Sequence, residues 1–416
     1  MTIIASERAS LLGGRLLTFA GIFLVAAGLR SAVASVSPIM ASIEKDVTFT
    51  PLAIGLLGML APLTFAVIGS LTPLIARLIG LEWTMVAAAL FIGLGQILRG
   101  MASDAPGFLA WTAATMAGIG AANVLLPPLI KKYFPDRISA MSSVYIVMAV
   151  VSSIFPAYFA APLEQAAGWR LSIGSWGLIA LVAALPWLAT LYKQRGQDLT
   201  YAIAHAPGVA KRVWTSATSW AMTLGFAVAA FETYVMFAWL PVMFQERIGM
   251  TAAQSGVALA VYAALPLPMG FILPRLVGRL DNLFVLFAAA SAAFVIGSLG
   301  LWLLPSTLTW VWIVVSGLGS SLFTVNLAMI AFRTTTQAGA VVLSGMVQGV
   351  GYALGALGPL LFGVLHQASS DWTGEFMLLV GVGLLPLISG FIVRRKHLVD
   401  ELRPSPLTTS MTDVIR

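Results

Sequence analysis

One arginine lies in the middle of an otherwise apolar stretch near the start of the chain. Arg30 comes fifteen residues after Arg15 in the run RLLTFAGIFLVAAGLRSAVASVSPIM, which places it about 22 Å into a helix that rises 1.5 Å per residue. A guanidinium stays charged at any ordinary pH, and placing it at a bilayer centre costs roughly 2.5–3.5 kcal/mol or more. We therefore expect Arg30 to face a polar cavity and bind a solute, the alternative being a structural arginine bonded to helix carbonyls.

A second ionisable residue, Glu232, lies at a similar depth in a later apolar stretch. Three roles fit an acid in this position. It could carry protons, because its charge responds to desolvation and to nearby cations. It could be a static counter-ion of Arg30, which would lower the insertion cost of both charges. It could also be buried in an interface between helices. Of these roles we assign proton coupling to Glu232.

Polar and aromatic side chains in other apolar stretches complete the candidate site, because a small-ligand site is typically an apolar cavity with a few convergent polar groups. Asn123 lies one turn before Pro127 and Pro128, which free carbonyls and let a helix bend beside a cavity. Gln348 and Tyr352 are i and i+4 neighbours on one helix face. The predicted substrate-binding residues are Arg30, Asn123, Tyr145, Tyr234, Trp239, Tyr262, Gln348 and Tyr352.

Several classes of site are not indicated. The chain has no cysteine, and its three histidines are scattered rather than at ligand spacing, so no metal is expected. No GxxxxGK[ST] motif is present, which argues against ATP as the energy source. We find no catalytic cluster of His, Asp and Glu on a common face and expect neither an enzyme nor a cofactor.

The composition is that of a helical membrane protein. It is 59% hydrophobic and 9% charged, whereas soluble chains average about 25% charged residues. Apolar runs long enough to cross a hydrocarbon core of about 30 Å recur along the whole sequence. Twelve spanning helices are predicted, near residues 15–40, 52–74, 83–100, 108–131, 138–161, 169–191, 217–244, 252–274, 283–304, 308–332, 338–366 and 373–393.

The basic residues indicate the orientation of these helices. With the N-terminus inside, eighteen Lys and Arg residues fall on internal segments, against four on external ones, which are Lys45, Arg99, Arg170 and Arg247. This bias follows the positive-inside rule and predicts that both termini are cytoplasmic. The net charge of +7 is then explained by the basic residues of the internal segments, which set the orientation of the helices. No nucleic-acid partner is expected.

The two halves of the chain resemble each other. ARLIGLE at 76–82 recurs as PRLVGRL at 274–280, the Gly-x-Gly at 118–120 recurs at 317–319, and SPIM at 37–40 parallels LPVM at 240–243. A shared offset near 200 residues indicates an internal repeat. We predict two pseudo-symmetric six-helix bundles, 1–191 and 217–416, joined by a cytoplasmic linker, 192–216. This layout is typical of secondary transporters with a site between the halves.

Four fragments carry a resemblance to a known family: LRSAVASVSP (29–38), NVLLPPLIKKYFPDR (123–137), YVMFAWLP (234–241) and LSGMVQGVGYALGALGPLLFG (343–363). Over its full length the chain resembles the major facilitator superfamily, and within it the cyanate/2-nitroimidazole transporter family. The resemblance implies a twelve-helix facilitator that moves a small organic or inorganic solute, often an anion.

Together these features predict a multi-pass secondary transporter of the cytoplasmic membrane that moves a small polar or anionic solute by alternating access. Proton coupling through Glu232 is expected, and so is a working monomer surrounded by lipid. The alternative is a drug or metabolite exporter of the same fold, which would use Glu232 among Tyr234, Phe237 and Trp239 as an acid in an aromatic cavity.

Overall fold

The structure, a computed structural model, describes residues 15–193, 208–368, 371–395 and 397–400. These residues form helices and connecting turns, and no strand occurs among them. Eleven described stretches are long and apolar enough to cross a membrane. One of them, Ala140–Tyr192, is 53 residues long and holds two helices that bend at Gly168, where φ is +80°. Counting it as two gives the twelve spanning helices that the sequence predicts, and the all-helical fold class is confirmed.

The first six helices form the N-terminal half. Their bounds are α1 Leu16–Ile43, α2 Pro51–Ile79, α3 Leu81–Gly100, α4 Ala105–Tyr133, α5 138–167 and α6 169–193.

The other six helices form the C-terminal half. Their bounds are α7 Ala217–Ile248, α8 Ala252–Arg279 with a break at Leu265, α9 Phe284–Leu303, α10 Thr309–Phe332, α11 Gln337–Gly355 continued by Leu357–Ala368, and α12 Thr373–Val393.

The structure describes only part of the predicted linker, 192–216, between the two halves. Helix α6 runs on to Lys193, and Val209–Thr215 forms a short helix ahead of α7. Residues 194–207 of the predicted linker lie outside the described residues. The chain ends, 1–14 and 401–416, also lie outside them, so the predicted location of the termini remains an expectation.

The helices run back and forth between two ends of the bundle. We call the near end the one that holds the connections 134–137, 280–283 and 333–336, and the far end the one that holds 44–50, 101–104, 249–251 and 304–308. Ion pairs and hydrogen bonds tie neighbouring connections together at each end. Arg15 pairs with Asp136 at 2.5 Å at the near end, and Arg170 pairs with Asp46 at the far end.

The two halves are sealed together at the far end. Ser37 Oγ of α1 donates to the Ala238 carbonyl of α7 at 2.6 Å, and Gln245 Nε2 of α7 donates to the Pro38 carbonyl at 3.0 Å. Small residues let α2 and α11 approach closely here, because a β-carbon at Gly55 would lie 2.7 Å from the Pro359 carbonyl oxygen.

Toward the near end the halves separate. A β-carbon at Gly349 would first meet Ser70 Oγ, at 4.0 Å. One turn earlier in α11, closer to the near end, a β-carbon at Gly345 would meet no described atom within 4 Å. Ser70 and Gly345 are both exposed. Helices α2 and α11 are therefore in close contact at the far end and lie further apart toward the near end, and we call the space between them the cleft.

Candidate substrate site

Helix α1 is broken at the arginine that the sequence singles out. The helical segment Leu16–Gly28 ends just before Arg30, and a second segment, Ser31–Ala34, begins after it. The freed N–H of Arg30 donates to Ser152 Oγ of α5 at 3.1 Å, so α5 satisfies one of the backbone groups that the break releases. The predicted span near 15–40 is confirmed, and within it the helix is interrupted at Leu29 and Arg30.

The break leaves the Arg30 side chain exposed although the residue lies halfway along α1. Its guanidinium is close enough to interact electrostatically with Tyr145 of α5, Tyr234 of α7 and Tyr352 of α11. Among the described residues it makes no ion pair. The structure thus presents a cation that has no counter-ion in the described part of the chain and that lies near tyrosines from both halves.

An aromatic cluster forms one wall of this site. The Tyr352 ring lies 5.0 Å from Phe226 and 5.5 Å from Phe65 between centroids, both edge to face, and 6.3 Å from Tyr234. Phe65 belongs to α2 and the other three belong to α7 and α11, so the cluster joins the two halves. Edge-to-face pairs are a favoured packing arrangement, which holds the tyrosines in place beside Arg30.

Two further predicted residues lie with this group. The Tyr145 hydroxyl donates to Asn123 Oδ1 at 3.2 Å, and Asn123 Nδ2 donates to the Ile119 carbonyl at 3.1 Å. Asn123 therefore positions the Tyr145 hydroxyl, and through Tyr145 it is linked indirectly to Arg30. Gln348 lies one turn before Tyr352 on α11, where its Nε2 donates to Ser344 Oγ at 2.7 Å.

Trp239 and Tyr262 lie elsewhere. Trp239 is 1% exposed, donates from Nε1 to the Pro359 carbonyl at 3.3 Å, and packs against Phe362 near the far end. Tyr262 is also 1% exposed and packs edge to face on Phe237. Neither of them has a described contact with Arg30. Trp239 packs near the far end, and Tyr262 packs against Phe237.

Glu232 also points away from Arg30. It is 1% exposed, and neither carboxylate oxygen has a hydrogen-bond partner among the described residues. Its Oε1 lies 3.6 Å from where a β-carbon at Gly383 of α12 would be, and Tyr262 is within electrostatic range. Of the three predicted roles, the counter-ion of Arg30 does not match this geometry, whereas burial between helices does. Proton coupling stays a prediction.

The sequence analysis missed Arg99. It counted this residue as an external charge because Arg99 falls at the end of the predicted third span. In the structure Arg99 is 0% exposed inside α3, and its Nη1 donates to the Ala32 carbonyl at 3.0 Å. It therefore caps a carbonyl in the broken part of α1. The sequence signal that could have found it is the arginine's position within, rather than beyond, an apolar run.

A second polar group that the sequence analysis passed over lies at the far end. A pocket of about 420 Å³ is lined there by Glu44, Glu246 and His366 among others. His366 Nε2 lies 3.5 Å from Glu246 Oε2, and its Nδ1 lies 3.1 Å from Glu375 Oε1. Burial raises the pKa of Glu44, and the nearby Glu246 raises it further. This pocket is rich in acids and would repel anions, in contrast to the site around Arg30.

Comparisons with known proteins agree with this fold. Residues 18–356 match the Major Facilitator Superfamily. The uncharacterized transporter YycB of Bacillus subtilis (strain 168) is 30% identical over 368 residues, 86% of this chain and 89% of that protein. The 2-nitroimidazole transporter of Escherichia coli (strain K12) is 29% identical over 384 residues, 92% and 96% of the two chains. The cyanate transport protein CynX of the same organism is 24% identical over 311 residues, 73% and 79%.

A solved structure has the same architecture. The inward-facing, occupied form of a bacterial homolog of the human lysosomal transporter Spinster aligns with a TM-score of 0.73 at 14% identity, over 94% of this chain and 99% of that one. At this identity the likeness concerns the fold alone.

Fold and site together define a helical membrane transporter with a polar cleft between two halves. The chain belongs to the Major Facilitator Superfamily, and its relatives confirm the resemblance to the 2-nitroimidazole and cyanate transporters. It is a multi-pass membrane protein and a transporter, not an enzyme.

Proposed function

We propose that this protein carries a small polar or anionic solute across the cytoplasmic membrane and that Arg30 binds it. The observation that carries the proposal is an exposed guanidinium, without an ion-pair partner among the described residues, halfway along α1 and within electrostatic range of Tyr145, Tyr234 and Tyr352. A buried or membrane-embedded charge is costly unless something pairs with it. An anionic substrate would supply that partner.

The surrounding groups suit a compact, planar or aromatic solute. Three tyrosines, Tyr145, Tyr234 and Tyr352, interact with Arg30, and hydroxyls and ring faces can orient a small ligand inside an apolar pocket. Asn123 would act through Tyr145, and Gln348 would add an amide one turn along α11. The names of the relatives, a 2-nitroimidazole transporter and a cyanate transport protein, fit the same size class.

Transport would follow an alternating-access cycle. In the described state α1 and α7 are bonded at the far end, and α2 and α11 diverge toward the near end. Substrate reaches Arg30 from the near end in this state, and release on the other side needs the far-end bonds to open. The positive-inside bias of the sequence makes the near end cytoplasmic, with both termini there, and we expect a monomer to work alone.

Proton coupling is the finer part of the proposal. A buried acid without a hydrogen-bond partner, as Glu232 is among the described residues, has nothing to solvate its charged form. Taking up and releasing a proton with substrate would let Glu232 couple transport to a pH gradient. The rival exporter, with Glu232 as the acid of an aromatic cavity, has less support because the carboxylate faces α12.

The test is substrate transport by Arg30 variants in proteoliposomes. A thermal-shift panel of cyanate, small carboxylates and nitroaromatics first selects the probe that stabilises the wild type most. We expect Arg30→Ala to weaken its binding about 10- to 150-fold, since a charge-assisted hydrogen bond contributes roughly 1.5–3 kcal/mol. Arg30→Lys should keep part of the affinity, because it retains the charge but loses the planar fork.

Arg170→Ala is the matched control, because it removes an exposed arginine whose partner, Asp46, lies at the far end. It should leave uptake at the wild-type level. Wild-type affinity in Arg30→Ala, at equal amounts of inserted protein, would overturn the proposal.

A further inference from the structure

A second guanidinium, Arg99, is buried and has no counter-ion among the residues that the structure describes. It is 0% exposed. Nη1 donates to the Ala32 carbonyl, and the guanidinium carbon lies 5.6 Å above the centre of the Phe108 ring. Nε and Nη2 have no hydrogen-bond partner within the described part of the chain. An arginine has five N–H donors, and a buried charge with unpaired donors is strongly destabilising.

Arg99 lines a small cavity between the two halves. The cavity measures about 30 Å³, and its other polar linings are Ser37, Thr112 and Tyr234. The Ser37 and Thr112 hydroxyls already donate to the carbonyls of Ala238 and Phe108. The donors that remain at this cavity include the Tyr234 hydroxyl and the unpartnered Nε and Nη2 of Arg99, and the charged Arg99 donors would bind negative charge.

The cavity lies next to the Arg30 site but is separate from it. Tyr234 lines the cavity and also interacts with Arg30, whereas Arg30 is not among the lining residues. The remaining lining comes from α1, α2, α4 and α7 and is mainly apolar. Tyr234 is thus shared by the Arg30 site and the cavity at Arg99.

We infer that Arg99 forms a second binding site, for one small monovalent inorganic anion of about the size of a halide or nitrite. A space of about 30 Å³ exceeds what one water molecule needs, roughly 10–15 Å³. One anion there would neutralise the buried charge and accept from the free Nε and Nη2. This inference deepens the proposed function and rests on it, because the anion site lies on the transport path only if Arg30 binds the solute.

Bromide is the probe, because its anomalous scattering locates it directly. The full-length wild-type protein is purified and crystallised with bromide as the sole halide. We expect an anomalous peak within hydrogen-bond distance of Arg99 Nε or Nη2. Peaks at other sites with none at Arg99 would overturn the inference and leave Arg99 as a cap on the broken helix α1.

A second measurement tests the same site in solution. The unfolding midpoint is compared in bromide and in gluconate at equal ionic strength, in an Arg30→Gln background that removes the first cation. Stabilisation by bromide should persist in Arg30→Gln and disappear in Arg30→Gln/Arg99→Gln. Equal stabilisation of both variants would contradict the inference.

The two proposals can fail separately. If Arg30→Ala transports normally while bromide lies at Arg99, the proposed function falls and the anion site stands. If Arg30→Ala loses transport and no bromide is found at Arg99, the reverse holds. Because the diffraction experiment uses the wild type, a folding defect of Arg99→Gln would not affect it.

Discussion

At the scale of single residues, the candidate site depends on which groups lie next to each buried or membrane-embedded arginine. Arg30 and Arg99 both lie in apolar helices, yet one is exposed in the cleft and the other is fully buried. Arg99 has a carbonyl and an aromatic face close by, whereas the described surroundings of Arg30 offer tyrosines. Under the proposed function, this difference makes Arg30 available to a solute that enters from the near end.

Glu232→Gln separates proton coupling from structure. Glutamine has nearly the shape of glutamic acid but cannot release a proton. If Glu232 couples transport, the variant should lose accumulation driven by a pH gradient and keep substrate exchange. Both are measured in proteoliposomes, with and without an imposed gradient. Glu164→Gln, which alters a half-buried acid of α5, is the control.

Gradient-driven accumulation by Glu232→Gln at the wild-type rate would show that the acid is structural. Its burial against Gly383 would then be its whole role.

Some of the site residues could be predicted from residue type alone. Arg30, Tyr234 and Tyr352 were predicted because a charge or hydroxyl in an apolar span needs a polar surrounding, and the structure brings the three together. Their role in binding stays a prediction. Trp239 and Tyr262 have the same residue-level signal but lie in other packing environments. A tyrosine or tryptophan packs equally well against a neighbouring helix or beside a ligand, so its type does not tell the two apart.

At the scale of elements, two pairs of helices meet at single glycines instead of loops. Gly80 joins α2 to α3 with φ of +89° and ψ of 159°, and Gly168 joins α5 to α6 with φ of +80° and ψ of 160°. Only glycine adopts this conformation readily. The chain can therefore reverse direction there in a single residue.

Gly168→Ala should lower the stability of the protein through its backbone alone. A β-carbon at Gly168 would meet no described atom within 4 Å, so the cost is the strain of the conformation, about 1–3 kcal/mol. We expect a lower unfolding midpoint in detergent.

Gly381→Ala is the matched control. This glycine also has no described atom within 4 Å of its added β-carbon, but it lies inside helix α12 and its φ is not positive. Alanine should be neutral or slightly favourable there. Equal losses in the two variants would contradict the backbone explanation.

At the scale of the whole molecule, closure of the far end depends on close contact between the halves. A β-carbon at Gly55 would lie 2.7 Å from the Pro359 carbonyl oxygen and 3.2 Å from the Leu360 Cα, both in the opposite half. Backbone atoms cannot move aside as a flexible side chain can. A side chain larger than that of glycine at position 55 therefore does not fit while the far end is closed.

Gly55→Ala should shift the population toward a state with an open far end. Overpacking of this kind costs about 1–3 kcal/mol, which corresponds to roughly 5- to 150-fold in an equilibrium. The reporter is a single cysteine, Val36→Cys, at a buried position that lines the cavity beside Arg99, in a chain that has no other cysteine. Its alkylation by a maleimide in detergent should become faster.

The same reporter with Gly349→Ala provides the control, because a β-carbon there would approach Ser70 Oγ only to 4.0 Å. Its alkylation should stay at the rate of the parent. A Gly55→Ala protein that also stays at that rate would show that the contact does not govern closure.

The sequence by itself determined the number of spans, their lengths and the family. These follow from local properties, since the apolar length of a segment and its motifs do not depend on what packs against it. The tertiary structure alone decided that α1 breaks at Arg30, that Arg99 is buried beside a cavity, and that Glu232 turns toward α12. Each of these depends on how helices far apart in sequence rotate and approach, and on which partner is then within reach of a polar atom. The type of a polar residue indicates that its side chain needs a hydrogen-bond or ion-pair partner, but the packing of the helices decides which partner is within reach.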